Sequence, residues 1–197
     1  MLRTRKLLTV ALSAGALFCS LPAADGQAAP TVRVSLAPGE EQASVDGVQL
    51  FVAGTRGRSG VLSKLRSHLG TPTCAPTNAG PAPSYLDQAT YFDVRWKDQP
   101  MLWFGFWGPF GHDCSNAQVV GGLTLLQGRI LTSRGAIHVG SSWKRVRKGL
   151  RQRFQYDKVF DAFLLRFSTG PCADQVFMQV HVERARVTHV DVAAPGC

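Results

Sequence analysis

The sequence predicts an α+β protein in which two tandem repeats, each a helix followed by antiparallel strands, share one sheet and are stapled by disulfides. Three observations predict this fold class. Short segments recur at an offset of about 80 residues, as when Thr55-Arg56-Gly57 returns as Ser133-Arg134-Gly135. Each recurrence precedes a stretch with helical spacing, and strand-like stretches follow it. An even number of cysteines remains once an N-terminal leader is set aside.

The chain divides into a signal peptide at residues 1–29, a first repeat unit with an N-terminal strand at residues 30–128, and a second repeat unit at residues 129–197. The chain has 197 residues, of which 45% are hydrophobic and 18% are charged. This composition is too apolar for a disordered protein, and the length is sufficient to bury a core.

The N-terminus has the three parts of a secretory signal peptide. Arg3, Arg5 and Lys6 precede an apolar run over residues 7–21, and small residues follow up to Ala29. The apolar run is shorter than the roughly 20 residues that a membrane-spanning helix needs. We therefore expect a secreted, extracytoplasmic protein whose net charge falls from +9 to +7 on cleavage.

Two stretches have the apolar spacing of amphipathic helices. In the first unit, Ser59 is a suitable N-cap and Gly70 a suitable stop. The apolar face of this helix consists of Val61, Leu62, Leu65 and Leu69. In the second unit, Ser141 or Ser142 caps the helix. Its apolar face consists of Trp143, Val146, Leu150 and Phe154.

Residues 89–96 and 101–107 are predicted to form a hairpin, because they flank the turn-like segment Lys97-Asp98-Gln99-Pro100. Pairing Trp96 with Met101 divides the hairpin into two faces. The predicted core face consists of Phe92, Val94, Trp96, Met101, Trp103 and Trp107. The predicted open face consists of Tyr91, Asp93, Arg95, Leu102, Phe104 and Phe106.

The pairing register of the last hairpin can be predicted from its valines. Val176, Met178, Val180 and Val182 alternate with Phe177, Gln179, His181 and Glu183, and the return strand alternates in the same way. An odd loop around residues 184–186 puts the valines of both strands on one face. In that register His181 lies opposite or diagonal to His189, on the same polar face as Asp191.

The mature chain retains Cys74, Cys114, Cys172 and Cys197. In an exported protein, an even set of cysteines indicates disulfides rather than a thiol nucleophile or a metal site. The register of the last hairpin brings Cys172 and Cys197 to its open end. The preferred bridges are therefore Cys172–Cys197 and Cys74–Cys114.

Aromatic and charged side chains share the predicted open faces of both hairpins, a composition typical of interaction surfaces. We therefore expect a non-enzymatic binding protein that recognises a protein or cell-envelope component through an exposed sheet face. The candidate binding residues are Tyr91, Asp93, Arg95, Phe104, Phe106, Phe177, Gln179, His181, His189 and Asp191. The sequence predicts no catalytic residue, cofactor or resident metal, since no motif for them is present.

Two alternative functions use other chemistry. A small metal-dependent hydrolase would use His181, His189 and Asp191, which share one predicted face. An anionic-surface binder would use the second helix, because residues 129–153 carry eight bases and no acid. Its contact residues would be Lys144, Arg145, Arg147, Lys148 and Arg151. Nucleic acid is not an expected partner, since no binding motif is present. The sequence does not indicate an oligomeric state.

The segment from Val139 to Val146 reads Val-Gly-Ser-Ser-Trp-Lys-Arg-Val and resembles the opening of a helix in β-lactamase inhibitor proteins. The spacing of Leu65, Leu69, Gly70 and Cys74 resembles the end of that helix. This resemblance implies a secreted, duplicated, disulfide-bonded fold, shared with small outer-membrane-assembly lipoproteins, that presents a concave sheet face to a protein partner. It also implies β-lactamase inhibition as an activity. The second unit departs from the pattern because no cysteine follows its helix.

Overall fold

Two β-sheets and two short helices form the part of the chain that this computed structural model describes, namely residues 31–37, 41–52, 60–77, 89–97, 99–109, 119–168 and 173–194. In chain order the elements are β1 (Val32–Ser35), β2 (Gln42–Val45), β3 (Val48–Val52), α1 (Val61–Leu69), β4 (Thr73–Thr77), β5 (Ala89–Trp96), β6 (Gln99–Pro109), β7 (Val119–Leu125), β8 (Arg129–Thr132), β9 (Gly135–His138), α2 (Trp143–Leu150), β10 (Gln155–Asp157), β11 (Ala162–Arg166), β12 (Val176–Glu183) and β13 (Arg186–Ala193). Neither described helix has the length and apolarity needed to cross a membrane. The predicted signal peptide lies outside the described residues.

The smaller sheet has five strands in the order β3-β2-β1-β8-β9. Strand β1 pairs in parallel with β8, so that Val32 lies beside Ile130, while the other neighbours are antiparallel. The larger sheet is antiparallel and has eight strands in the order β10-β11-β12-β13-β7-β6-β5-β4. Both sheets therefore combine strands from before and after residue 128.

A continuous hydrophobic core joins both sheets and both helices. Phe51 of β3 and Phe177 of β12 meet edge to face, with their ring centroids 6.2 Å apart. Leu65 of α1 and Val146 of α2 are buried in the same cluster. The two sheets thus cover their apolar faces mutually, with the helices covering what remains.

The predicted fold class, an α+β protein of two tandem helix-then-strand repeats sharing one sheet, is wrong, because the structure is mostly β and has two sheets. The recurring motifs predicted a single sheet shared by both repeats. In the structure, the parallel pairing of β1 with β8 joins strands from both predicted repeats into a second sheet. Among the described residues the one cysteine is Cys74, and it is disulfide-bonded. Cys74 lies in β4, and the predicted bridge partners Cys114, Cys172 and Cys197 lie outside the described residues.

The predicted apolar face of α1 is confirmed, and that of α2 is confirmed for Trp143, Val146 and Leu150 but not for Phe154. Helix α1 buries Val61, Leu62, Leu65 and Leu69 and ends at Gly70. Its N-cap is Gly60, and the predicted cap Ser59 lies outside the described residues. Helix α2 has Ser142 as its N-cap residue but no side-chain capping bond, and it ends at Leu150 because Arg151 turns to a φ of 51°. Phe154 therefore lies beyond the helix, although its ring still packs on Trp143.

The predicted register of the hairpin β5–β6 is wrong by one residue. Trp96 pairs with Gln99, and a bulge follows Arg95, so Tyr91 lies opposite Trp107 and Val94 opposite Phe104. A shift by one residue exchanges the two faces of a strand. The predicted binding residues Phe104 and Phe106 are consequently buried, at 1% and 0% exposure. Leu102 is buried with them, and Trp103 and Trp107 occupy the opposite face instead.

The predicted pairing of His181 with His189 in the hairpin β12–β13 is confirmed. The connection is a two-residue turn rather than an odd loop, because Arg184 and Ala185 both have positive φ, at 48° and 62°. A bulge between His181 and Val182 then shifts the pairing by one residue, which brings His181 opposite His189. The prediction that Phe177 lies on the exposed face is wrong: Phe177 is 0% exposed, since the pairing of β12 with β11 shifts next to it.

Candidate functional site

The solvent side of the larger sheet carries polar and aromatic side chains over β5, β6, β7, β12 and β13; we call it the polar face. Tyr91, Asp93 and Arg95 lie opposite Trp107, Gly105 and Trp103, and the pairing continues through Thr124 to Asp191. Of the predicted binding residues, seven lie on this face: Tyr91, Asp93, Arg95, Gln179, His181, His189 and Asp191. The other three, Phe104, Phe106 and Phe177, are buried in the core.

Glycines form the floor of a depression of about 340 Å³ in the polar face. A Cβ atom at Gly105 would lie 1.6 Å from the Tyr91 hydroxyl oxygen, so the tyrosine ring lies directly over this glycine. At Gly121, a Cβ atom would lie 3.0 Å from both Trp107 Nε1 and Tyr91 Cε2. These two positions carry no side chain, which lets the rings of Tyr91 and Trp107 lie on the sheet beside the depression.

Two aromatic rings form one wall of the depression. Tyr91 and Trp107 are a cross-strand pair whose rings meet edge to face, with centroids 4.9 Å apart. Burial raises the pKa of Tyr91, and the negative charges of Asp93 and Asp191 raise it further. The hydroxyl therefore stays protonated across physiological pH and is available as a hydrogen-bond donor.

An ion pair lies beside this wall. The Arg95 Nε donates to both carboxylate oxygens of Asp93, at 3.2 and 3.1 Å. The guanidinium carbon lies 3.9 Å from the centroid of the Trp103 ring, in a cation–π contact. Because Arg95 remains 46% exposed, the pair contributes little to stability and instead presents a fixed charge pattern to solvent.

The imidazoles of His181 and His189 stack at the other end of the polar face. Their centroids are 3.9 Å apart and their planes differ by 10°. Asp191 Oδ2 lies 3.0 Å from His181 Nε2 and 3.9 Å from His189 Nε2. The other oxygen, Oδ1, accepts a 2.5 Å hydrogen bond from the Thr124 hydroxyl. Asp191 also lines the depression, so it joins the histidine pair to the glycine floor.

The environment of His189 disfavours its protonated form. Burial lowers the pKa of His189, and the neighbouring His181 lowers it further, while Asp191 acts in the opposite direction. A neutral imidazole can accept a proton or bind a metal ion. One ligand atom each from His181, His189 and Asp191 lies within 4.8 Å of the others, and imidazole nitrogen with carboxylate oxygen is a donor set suited to zinc.

The predicted anionic-surface residues lie away from the polar face. Lys144, Arg147, Lys148 and Arg151 line one groove beside Phe163 of β11, and Arg145 does not line it. All five are exposed. Helical structure ends at Leu150, so Arg151 belongs to the turn after the helix rather than to the helix itself.

Sequence reasoning missed Trp103, Trp107, Thr124 and the glycine floor. The available signal was Gly121-Gly122 within a strand-like run, since glycine inside a strand often marks a close approach of another group.

Comparison with known proteins finds no matching family model, no similar curated protein and no similar solved structure. The resemblance to β-lactamase inhibitor proteins therefore stays a prediction that these comparisons do not test.

Proposed function

We propose that the protein is a secreted binding protein that takes a protein or cell-envelope component on the polar face of its larger sheet, without chemical conversion. The observation that carries this proposal is the glycine-floored depression beside Tyr91 and Trp107. The glycines at positions 105 and 121 let the rings of Tyr91 and Trp107 lie against the sheet at the edge of the depression. A partner group that enters the depression would contact these two rings.

The dimensions of the depression suit an anchoring side chain or a similar group of a larger partner. Its volume of about 340 Å³ lies near the lower end of ligand pockets. Aromatic rings next to such a recess are the residues that most often dominate binding energy at interfaces. Tyr91 and Trp107 are half-buried, so a partner would cover what is left of rings that are already held in place.

The charges of the depression favour a partner group that donates hydrogen bonds. Asp93 and Asp191 both line it, and the positive charge of Arg95 is already paired with Asp93. Thr124 donates its hydroxyl to Asp191, which leaves the second carboxylate oxygen near His181. An amide, hydroxyl or ammonium group of the partner would complement these acceptors.

The test compares a residue of the depression with one on the smaller sheet. The mature protein and the variants Tyr91→Ala and His138→Ala are immobilised, and bound material is captured from the host's own culture medium and envelope extract. His138 is the control because it is exposed on β9, away from the polar face. We expect Tyr91→Ala to reduce capture roughly tenfold or more, as for an interface hot spot. Full capture by Tyr91→Ala, with the native fold verified by circular dichroism, would refute the proposal.

The convergence of His181, His189 and Asp191 supports a second candidate, a small exported metal-dependent hydrolase. Two imidazoles and one carboxylate leave coordination positions open for water and substrate. The test titrates zinc into metal-free protein by calorimetry and assays ester and peptide hydrolysis with and without metal. His138→Ala is the control, since His138 is an exposed histidine on β9. Stoichiometric binding that is lost in His181→Ala, together with metal-dependent turnover, would support the hydrolase.

A further inference from the structure

We propose that the groove between α2 and β11 is a second, independent binding surface that docks the protein on anionic lipid headgroups. We call it the basic groove and define it by Lys144, Arg147, Lys148 and Arg151 on its wall and by Trp143 and Phe163 on its floor. It encloses about 590 Å³. The groove shares none of its lining residues with the depression in the polar face, so this proposal does not rest on the proposed function.

The charge on the wall of the groove is uncompensated. Positions 144, 147 and 148 follow the i, i+3, i+4 spacing that puts side chains on one side of a helix, and Arg151 joins them from the turn after the helix. Among the described residues, none of these four cations forms an ion pair. Like charges at this spacing repel each other. An anionic partner would relieve that repulsion and would find four cations already assembled.

The floor of the groove contains a buried donor without an acceptor. Trp143 is only 7% exposed, and its ring packs against Phe163 with centroids 4.6 Å apart. Within the described part of the chain, its Nε1–H has no hydrogen-bond partner. Buried N–H groups are normally paired, so this donor is an exception in the floor beneath the cationic wall.

An exposed apolar turn lies beside the groove. In the β10–β11 hairpin, Asp157 accepts hydrogen bonds from the backbone N–H groups of Val159 and Phe160, at 2.8 and 3.4 Å. This turn leaves Val159 89% exposed and Phe160 47% exposed. Tyr156, also exposed, packs on Phe163 with centroids 5.4 Å apart. A row of rings thus connects the apolar turn to the floor of the basic groove.

The acids of this hairpin are already engaged. Asp161 accepts a 2.6 Å hydrogen bond from the Tyr156 hydroxyl, and Asp157 holds the turn and lies 3.9 Å from Arg166. Of these two carboxylates, Asp157 has its charge partly balanced by Arg166. The combination of clustered bases with exposed aromatic and aliphatic side chains is typical of surfaces that bind the membrane interface. A soluble polyanion would use the bases but would have no use for Val159 and Phe160.

The experiment measures co-sedimentation of the mature protein with vesicles. Neutral phosphatidylcholine vesicles are compared with vesicles that also contain phosphatidylglycerol, at low and at physiological salt. Three variants are compared with the wild type. The groove variant, which loses charge from the basic groove, is Lys144→Gln/Arg147→Gln/Lys148→Gln. The apolar-turn variant is Val159→Ser/Phe160→Ser, and the control is Arg129→Gln/Arg134→Gln. The control removes two exposed bases of the same basic stretch that lie on the smaller sheet.

We expect the wild type to bind only the anionic vesicles, and we expect higher salt to weaken the binding. The groove variant should bind at least tenfold more weakly, and the apolar-turn variant several-fold more weakly. The control should match the wild type except for a small loss from its lower net charge. Three outcomes would overturn the proposal: no binding to anionic vesicles, equal weakening in the groove variant and the control, or full binding by the apolar-turn variant. In the last case, efficient competition by soluble polyphosphate would identify a soluble polyanion as the ligand.

Discussion

The hairpins β5–β6 and β12–β13 build two ends of the polar face by different means. In β5–β6, the broad rings of Tyr91 and Trp107 lie over glycines, so this end is defined by volume. In β12–β13, the imidazoles of His181 and His189 stack beside the carboxylate of Asp191, so that end is defined by charge and protonation. The aromatic end should respond to changes of side-chain size, and the histidine end to changes of pH.

The largest expected effect tests which face of β6 is buried. Phe106→Ala removes a ring from the core and should lower the free energy of unfolding by about 3–5 kcal/mol. Trp107→Ala removes a larger ring from the half-buried polar face and should cost clearly less, because solvent reaches part of that ring already. Urea denaturation of both variants measures the difference. A larger loss for Trp107→Ala would restore the register predicted from the sequence.

A smaller effect tests the glycine floor. Gly105→Ala should cost about 1–3 kcal/mol, because the new Cβ atom displaces the Tyr91 ring. The control is Gly149→Ala in α2, where nothing lies within 4 Å of an added Cβ atom. That substitution should stabilise the protein by up to about 1 kcal/mol, since alanine is the better helix former.

The double variant Tyr91→Ala/Gly105→Ala shows whether the cost of the alanine comes from the tyrosine ring. If it does, the alanine at position 105 should cost little once Tyr91 is truncated, and a double-mutant cycle measures this coupling. If the costs of the two substitutions are additive, the cost of Gly105→Ala does not come from displacement of the Tyr91 ring.

The smallest effect is the pH dependence at the histidine end. The pKa of His189 is lowered in the folded protein, so as the pH falls below the ordinary value of about 6.5 the unfolded chain takes up the proton first. Stability should therefore decrease with falling pH in that window. His189→Gln should show a shallower decrease between pH 7.5 and 5.5 in unfolding experiments. His138→Gln is the control, and an unchanged slope in His189→Gln would contradict the assignment.

The two hairpins also explain why one register could be predicted and the other could not. In β12–β13, the apolar side chains of Val180, Val190 and Val192 can all be buried in one register only. In β5–β6, aromatic residues occupy both faces of β6, so the apolar pattern does not distinguish Phe104 and Phe106 from Trp103 and Trp107. A bulge after Arg95 then decides the register, and bulges leave no regular signal in the pattern.

The amino-acid sequence by itself determined the local elements. Apolar residues at spacings of three and four, followed by a glycine, specified α1, and the valine alternation specified the pairing of His181 with His189. These features depend on neighbours within one element or one hairpin. The parallel pairing of β1 with β8, the second sheet, and the glycine floor under Tyr91 were decided only in the tertiary structure. They depend on contacts between segments far apart in the chain, where burial of a shared core selects among pairings that local patterns leave equal.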